Sequence, residues 1–325
     1  LSVHAESLEG TRGKKAAKEF YEIATGVRTP AKDYYDAWKS QLDLSAKTKD
    51  QMVKDVALLV EKFDSLEGVT KSSVKLWTDE LVKEGKGAVS IERILSGCRN
   101  YWRYLKSYDK VPAEAEPFTG ILRLSKVKKA RAAKAANLPY RAEDVVRLWE
   151  AANTRRFAGQ DGDTQLADLI LLGAYTGARI EELCSLKVTD VDTKSLRIGD
   201  SKTPAGIREV PIHSKLAEVV KRLKKDSTDQ YLLSGLTFNK YDDRSNAIGK
   251  RFGRLKDALG FGEGHTFHSL RSTVVTQLEN AGVSENRAAD IVGHEKPRIT
   301  YGLYSGGANL AEKAKALAKV SYPFN

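Results

Sequence analysis

The sequence predicts a mainly α-helical chain with a small antiparallel β-sheet, divided into an N-terminal helical domain and a C-terminal α+β domain. Three observations carry this. Apolar residues recur at helical spacing between Ser45 and Tyr108, while one pair of alternating runs, Leu196–Ile198 and Ile207–Ile212, reads as strands. A basic, acid-free stretch from Ser125 to Asn137 then ends at Leu138-Pro139, which marks a boundary more than a folded element. The expected division is 1–124 for the helical domain with an N-terminal extension, 125–139 for a basic linker, and 140–325 for the second domain with a tail helix.

Taken in order, the first forty residues are the hardest to place, and Arg12, Lys14, Lys15 and Lys18 read as charges that solubilise a helix rather than as DNA contacts. Met52, Val53, Val56, Leu59, Val60 and Phe63 then form one helical stripe, and Val74, Trp77, Leu81 and Val82 a second. A third runs from Ile91 to Leu105. Trp77, Tyr101 and Trp102 are candidates for stacking on bases, but aromatics at helical spacing are more often core. Pro112 to Pro117 breaks the pattern. In the second domain, helices are expected over Asp144–Ala152, Leu166–Tyr175 and Ile180–Leu186, the last two separated by Gly177. Helices resume after Ser214 and over Ser245–Leu259, Ser269–Ala281, Glu285–Val292 and Leu310–Val320. The last offers only Leu310, Ala314, Leu317 and Val320, too little apolar surface to stand alone, so the tail from Leu310 to Asn325 is expected to dock on a neighbouring subunit.

The 325 residues, 30% charged and 41% hydrophobic, suit about two soluble domains. No apolar run approaches the roughly 20 residues of a membrane span, and the first residues lack a signal pattern, so a cytoplasmic protein is expected. The chain opens at Leu1 rather than methionine, as a trimmed chain or fragment does. Cys98 and Cys184, far apart and without metal-ligand spacing, read as buried thiols. A net charge of +11 implies an anionic partner, with nucleic acid the default. Lys126, Lys128, Lys129, Arg131 and Lys134 cluster in the linker and are candidate DNA contacts, against the plainer reading of a solvated linker.

The chemistry-bearing residues are Thr176-Gly177-Ala178-Arg179, His268-Ser269-Leu270-Arg271, Gly293-His294, and Tyr301 with Tyr304. During attack on a phosphodiester, charge concentrates on the non-bridging oxygens, so two guanidiniums and two imidazoles would stabilise the transition state, and a phenol would be the nucleophile. With an unperturbed pKa of about 10, that phenol needs nearby positive charge or a base. His268 and Arg271, three apart, share a helix face. Glu182, three residues beyond Arg179, is placed to orient its guanidinium; the plainer reading is a surface salt bridge with Glu181 or Glu182. Lys202 lies between the two strand runs, where a surface lysine is the alternative. His265 reads as structural, and His213 and His4 have no supporting context. No P-loop or acidic metal cluster appears, and neither metal nor cofactor is expected.

In this order the residues resemble the tyrosine recombinase (phage integrase) family, whose pattern is TG-x-R, a hairpin lysine, H-x-x-R, G-H and a terminal tyrosine. The counterparts are Arg179, Lys202, His268 with Arg271, His294 and Tyr304. The resemblance is strong from about Leu138 onward. It extends by pattern to the helical part, which resembles a core-binding domain and carries Glu116-Pro117-Phe118 where members often have Asn-Pro-Phe. It implies that His268 assists deprotonation of the tyrosine, His294 donates a hydrogen bond to the phosphate, and Lys202 protonates the leaving 5′-oxygen. Thr300-Tyr-Gly-Leu-Tyr-Ser305 matches the family ending with Tyr304 as nucleophile and Tyr301 as a packing residue.

The implied activity is site-specific recombination for a prophage or other mobile element, through a 3′-phosphotyrosyl intermediate on double-stranded attachment sites. The implied assembly is a homotetramer in the synaptic complex, with accessory DNA-bending proteins as possible partners, no membrane partner, and a bacterial, nucleoid-associated location. No arm-type DNA-binding domain is evident. The rivals are a non-catalytic DNA-binding or architectural protein of the same fold, and type IB topoisomerase-like relaxation of one duplex.

Overall fold

The computed structural model describes residues 2–122, 137–154, 156–157, 160–199, 204–296 and 306–324. They belong to two compact units, Leu1–Ser125 and Lys126–Asn325.

The first unit contains six helices among the described residues: α1 (Ser2–Arg12), α2 (Lys14–Ala24), α3 (Tyr35–Ser40), α4 (Ala46–Lys62), α5 (Lys71–Lys83) and α6 (Ala88–Ser107). The helical stripes read from the sequence are largely the faces that meet: Val56 and Leu59 of α4, Val74, Trp77 and Leu81 of α5, and Ile91, Ile94, Leu95 and Leu105 of α6 are buried together, whereas Val82, read into the second stripe, is exposed. Gly97 of α6 faces α4, where an added Cβ would make only ordinary van der Waals contact with Asp55 and Val56. Thr70 and Ser73 cap α5 reciprocally, satisfying backbone N–H groups that have no partner in a helix's first turn. Trp77, Tyr101 and Trp102 are core residues, and the latter two satisfy their polar ends inside: Tyr101 donates to the Ala31 carbonyl (2.8 Å) and Trp102 to that of Ala115 (3.0 Å). Lys18 is exposed and pairs with Glu22 one turn on, as a solubilising charge does.

The second unit is built around α8 (Thr164–Thr176), whose residues from Leu166 to Thr176 are all buried. Against it pack α7 (Ala142–Thr154) and α12 (His268–Asn280). Gly173 permits the latter contact, because a Cβ there would lie 2.7 Å from the Phe267 ring. A short α9 (Ile180–Cys184), α10 (Ala217–Asp226), α11 (Ser245–Ala258) and α13 (Glu285–Val292) complete the layer. The expected hairpin is present as β3 (Ser195–Ile198) and β4 (Arg208–Pro211), antiparallel with Leu196 opposite Val210 and Ile198 opposite Arg208. A second hairpin, Arg156–Phe157 with Gln160–Asp161 (β1 and β2), was not expected. Strands of two residues carry no alternation from which to read them. Cys98 and Cys184 are free and buried.

Expected to dock on a neighbouring subunit, the tail is packed within its own chain here: helix α14 (Leu310–Leu317) lies on β4 and α13. Leu317, Val320 and Tyr322 are buried in this unit's core, and the Tyr322 hydroxyl donates to the Ala174 carbonyl of α8 (2.8 Å). Lys313 donates to the Glu209 carbonyl of β4 (2.7 Å). The helix alone is indeed too small; what the apolar inventory omitted is Tyr322 and Phe324 beyond its end, which complete the buried face. Among the described residues, no helix is long and apolar enough to cross a membrane.

Candidate active site

Arg179, His268, Arg271 and His294 are brought together where the C-terminal ends of α8 and α13 meet the starts of α9 and α12. Local sequence chemistry explains each placement. Thr176 ends α8 with its hydroxyl bonded back to the Leu172 carbonyl (2.5 Å) and accepting from Ala178 N–H (3.1 Å). Gly177 follows at φ +62°, the left-handed conformation that lets the chain leave the helix. Its missing Cβ also matters, since one would sit 2.9 Å from Val292 of α13. Arg179 then occupies the N-cap of α9. Its backbone N–H and its guanidinium both donate to Glu182, at 2.9 and 2.6 Å, while the other terminal nitrogen reaches the Gly293 carbonyl at 3.3 Å. Glu182 therefore touches Arg179 as anticipated. Glu181 turns elsewhere, accepting from Arg244 and Ser245 N–H at the start of α11.

Arg271 is buried, and its neighbours in the described structure are carbonyls at helix C-terminal ends. It donates to Gly177 (3.0 Å), Val292 and Gly293 (3.2 Å), and its Nε to the His294 imidazole (3.3 Å). Helices α8 and α13 both end in left-handed glycines, so two negative helix ends converge on one guanidinium. Because that bond makes His294 Nε2 the acceptor, the ring proton sits on Nδ1. His268 opens α12, its N–H donating to the Thr266 hydroxyl (3.1 Å).

The electrostatics follow from crowding cations. Partial withdrawal from water, then Arg271 and Arg179, pull His268 below the ordinary imidazole value. The same causes in the same order, joined by His268 and Arg208, push His294 down to about 4. Both shifts favour the neutral imidazole at pH 7. Burial alone would raise Glu182, but hydrogen bonds and charge from Arg208, followed by Arg179, hold it below the usual carboxylate range. A cavity of about 730 Å³ opens beside Arg179 and His294, but Glu279, Glu285 and Glu295 line it, so a phosphate is better served on the arginine side.

Lys202, Tyr301 and Tyr304 lie outside the described residues, as do Lys126, Lys128, Lys129, Arg131 and Lys134. The frame around the first three is described. Strands β3 and β4 flank Lys202, and Asp290 of α13 binds both Lys296 (2.6 Å) and the N–H of Ala308 (2.9 Å), on either side of the tyrosines. His265 packs against Tyr140 and Phe261, and His213 stacks on Tyr175 and accepts from Lys215 N–H; neither joins the site. Arg208, a buried cation of this neighbourhood, escaped the sequence reading. In Ile207-Arg-Glu-Val-Pro-Ile212 it looks like one of the outward polar residues of an alternating strand.

A family model described as the phage integrase family matches residues 140–308, and one described as the phage integrase N-terminal SAM-like domain matches 31–108. An integrase of Staphylococcus phage L54a is 25% identical, over 50% of this chain and 55% of that protein. A XerC-like tyrosine recombinase of Caldanaerobacter subterraneus is 22% identical, over 71% and 66%. The chain thus spans less than two thirds of the length of these two relatives. Tyrosine recombinase XerA of Pyrococcus horikoshii is 23% identical over 81% of this chain and 85% of that one. In fold, the chain is similar to a lambda integrase tetramer bound to a Holliday junction, with a TM-score of 0.66 and 18% identity over 94% of this chain and 86% of the other. It is also similar to the Tn1549 transposon integrase in complex with circular intermediate DNA, with a TM-score of 0.60 and 18% identity over 89% and 98%.

Proposed function

The chain belongs to the phage integrase family, and on that premise we propose that it is a tyrosine-type site-specific DNA recombinase that integrates or excises a prophage or other mobile element. The observation that carries this reading is the meeting of Arg179, Arg271 and two neutral imidazoles at one phosphate-sized site, with Glu182 holding the first arginine.

The phenol of Tyr304 attacks the scissile phosphorus. The Tyr304 Oη–P bond forms, the bond from phosphorus to the 5′-oxygen breaks, the phenolic proton passes to His268, and Lys202 protonates the departing oxygen. Arg179 and Arg271 stabilise the charge on the non-bridging oxygens, and His294 donates to one of them. The 3′-phosphotyrosine keeps the ester activated, so a 5′-hydroxyl from a second duplex reverses the step and joins the strands without an external energy source. Two duplexes with one active subunit per strand call for four copies. The structurally similar lambda integrase supports this, since it forms a tetramer on a Holliday junction. Residues 1–124 and the cations of the 125–139 linker would grip the duplex, and a DNA substrate of this kind places the protein in the bacterial cytoplasm, on the nucleoid.

The test is a nicked duplex carrying the attachment site of the element that encodes the chain. Its nick lets the 5′ fragment diffuse away and traps the intermediate. A denaturation-resistant protein–DNA adduct is expected. Tight binding without an adduct would instead favour a non-catalytic DNA-binding protein, and relaxation of a supercoiled circle without strand exchange would favour the topoisomerase reading.

A further inference from the structure

We propose that Arg208 is a positioning residue for this reaction: a buried guanidinium that touches no substrate but sets the placement of Arg179, Arg271 and His294 together. The inference rests on the recombinase reading and deepens it. Arg208 is 8% exposed, and its nitrogens bind three separate pieces of the site. One terminal nitrogen donates to Glu182 (2.9 Å), the Nε to the Ile291 carbonyl of α13 (2.8 Å), and the other terminal nitrogen to the Gly206 carbonyl just before β4 (2.7 Å).

Two of these contacts lead to groups around the phosphate site, and the third ties Arg208 to the turn before β4. Glu182 is shared: one oxygen takes the Arg179 guanidinium, the other takes both Arg179 N–H and Arg208. With Arg208 present, one carboxylate lies between two guanidiniums, and a net positive charge is left for a substrate. The Ile291 carbonyl immediately precedes the Val292 and Gly293 carbonyls that hold Arg271, and His294 follows. Gly293 is seated over Arg208, since a Cβ there would come within 2.7 Å of its Nη1, and its φ of +78° turns the chain toward His294. The planar guanidinium donates in three fixed directions at once, whereas an ammonium is a point charge on a flexible stem. The plainer alternative is that Arg208 only staples the core. That alternative predicts lost folding, not a folded, DNA-binding protein with slowed chemistry.

The experiment compares the full chain with Arg208→Lys, Glu182→Gln and the double variant. It measures single-turnover adduct formation on the nicked duplex at saturating DNA, with the DNA dissociation constant and thermal midpoint in parallel. Arg208→Lys is expected to stay folded and to bind DNA within about twofold of the parent, yet to cleave about 10- to 100-fold more slowly, the scale of loss from small misplacements of reacting groups. The double variant should be no slower than the slower single one, because groups acting through one network are not additive. Cleavage within about twofold of the parent, a loss accounted for by the unfolded fraction, or single losses that multiply would each overturn the proposal. If the lysine variant does not fold, Arg208→Gln, whose amide nitrogen takes the place of the Nε that faces the Ile291 carbonyl, is used instead; if neither folds, Arg208 is a core staple and the proposal is wrong. A parent that forms no adduct sinks the recombinase reading and this inference with it, whereas a cleaving parent matched by Arg208→Lys overturns the inference alone.

Discussion

A guanidinium set among carbonyl oxygens, as Arg271 is, keeps its charge for an arriving anion, whereas one locked to a carboxylate is largely neutralised. Partial withdrawal from water, reinforced by the same concentration of cations, keeps His268 and His294 neutral, and this has a measurable sign. His294 has a folded pKa of about 4 against an ordinary 6.5, so between those values the unfolded chain binds the proton first. Its contribution to stability is fully present above about 6.5 and is lost as pH falls toward about 4. Imidazole resonances followed by NMR should put the His294 midpoint well below that of an unperturbed histidine, and a phosphate-containing duplex should raise it. A midpoint near 6.5 in the free protein would contradict the crowding just described. The nucleophile is tested as directly. Tyr304→Phe should fold and bind DNA but form no adduct on the nicked duplex, while Tyr301→Phe at most weakens the reaction; the reverse pattern would exchange the two tyrosines. At this scale the ordered motif made Arg179, Glu182, His268, Arg271 and His294 legible, because their chemistry is local to short segments. Arg208 was not, since its value depends on Glu182 and Ile291, which lie 26 and 83 residues away.

Helix α14 shows how an element can be read correctly while its place is missed. Its residues signal a short amphipathic helix, but nothing local says that α8 offers the Ala174 carbonyl to a hydroxyl 148 residues later. Leu317→Ala should lower stability by about 2–5 kcal/mol, as other buried leucine truncations do, and Tyr322→Phe by about 1 kcal/mol for its buried hydrogen bond. Chemical denaturation of the monomer measures both. If the variants match the parent there and differ only in assembly, the buried face serves a neighbour instead. The β3–β4 hairpin was legible from its alternation, and its function is tested through Lys202. Lys202→Ala should slow cleavage of a normal 5′-oxygen far more than that of a 5′-bridging phosphorothiolate, whose sulfur leaves without protonation. Equal losses on the two substrates would remove Lys202 from the general-acid role.

For the molecule as a whole, the excess of positive charge and its clustering make a prediction that does not depend on the reacting residues. A net charge of +11 is spread over the chain, yet Lys126, Lys128, Lys129, Arg131 and Lys134 stand in one acid-free run at the junction of the two units. The basic run is readable because charge clustering and the Leu138-Pro139 stop are properties of composition, which need no tertiary partner. If these five cations neutralise phosphates, each displaces condensed counterions, and the slope of log affinity against log salt changes by about 0.9 per contact. Replacing all five by alanine should therefore make the slope shallower by up to about 4–5, and should do so about equally for an attachment-site duplex and an unrelated one, because phosphate contacts position without reading sequence. Binding isotherms at several salt concentrations on both duplexes measure this. An unchanged slope would make the run a solvated linker and move the electrostatic footprint onto the folded units, whereas a loss confined to the attachment-site duplex would mean that these side chains read bases.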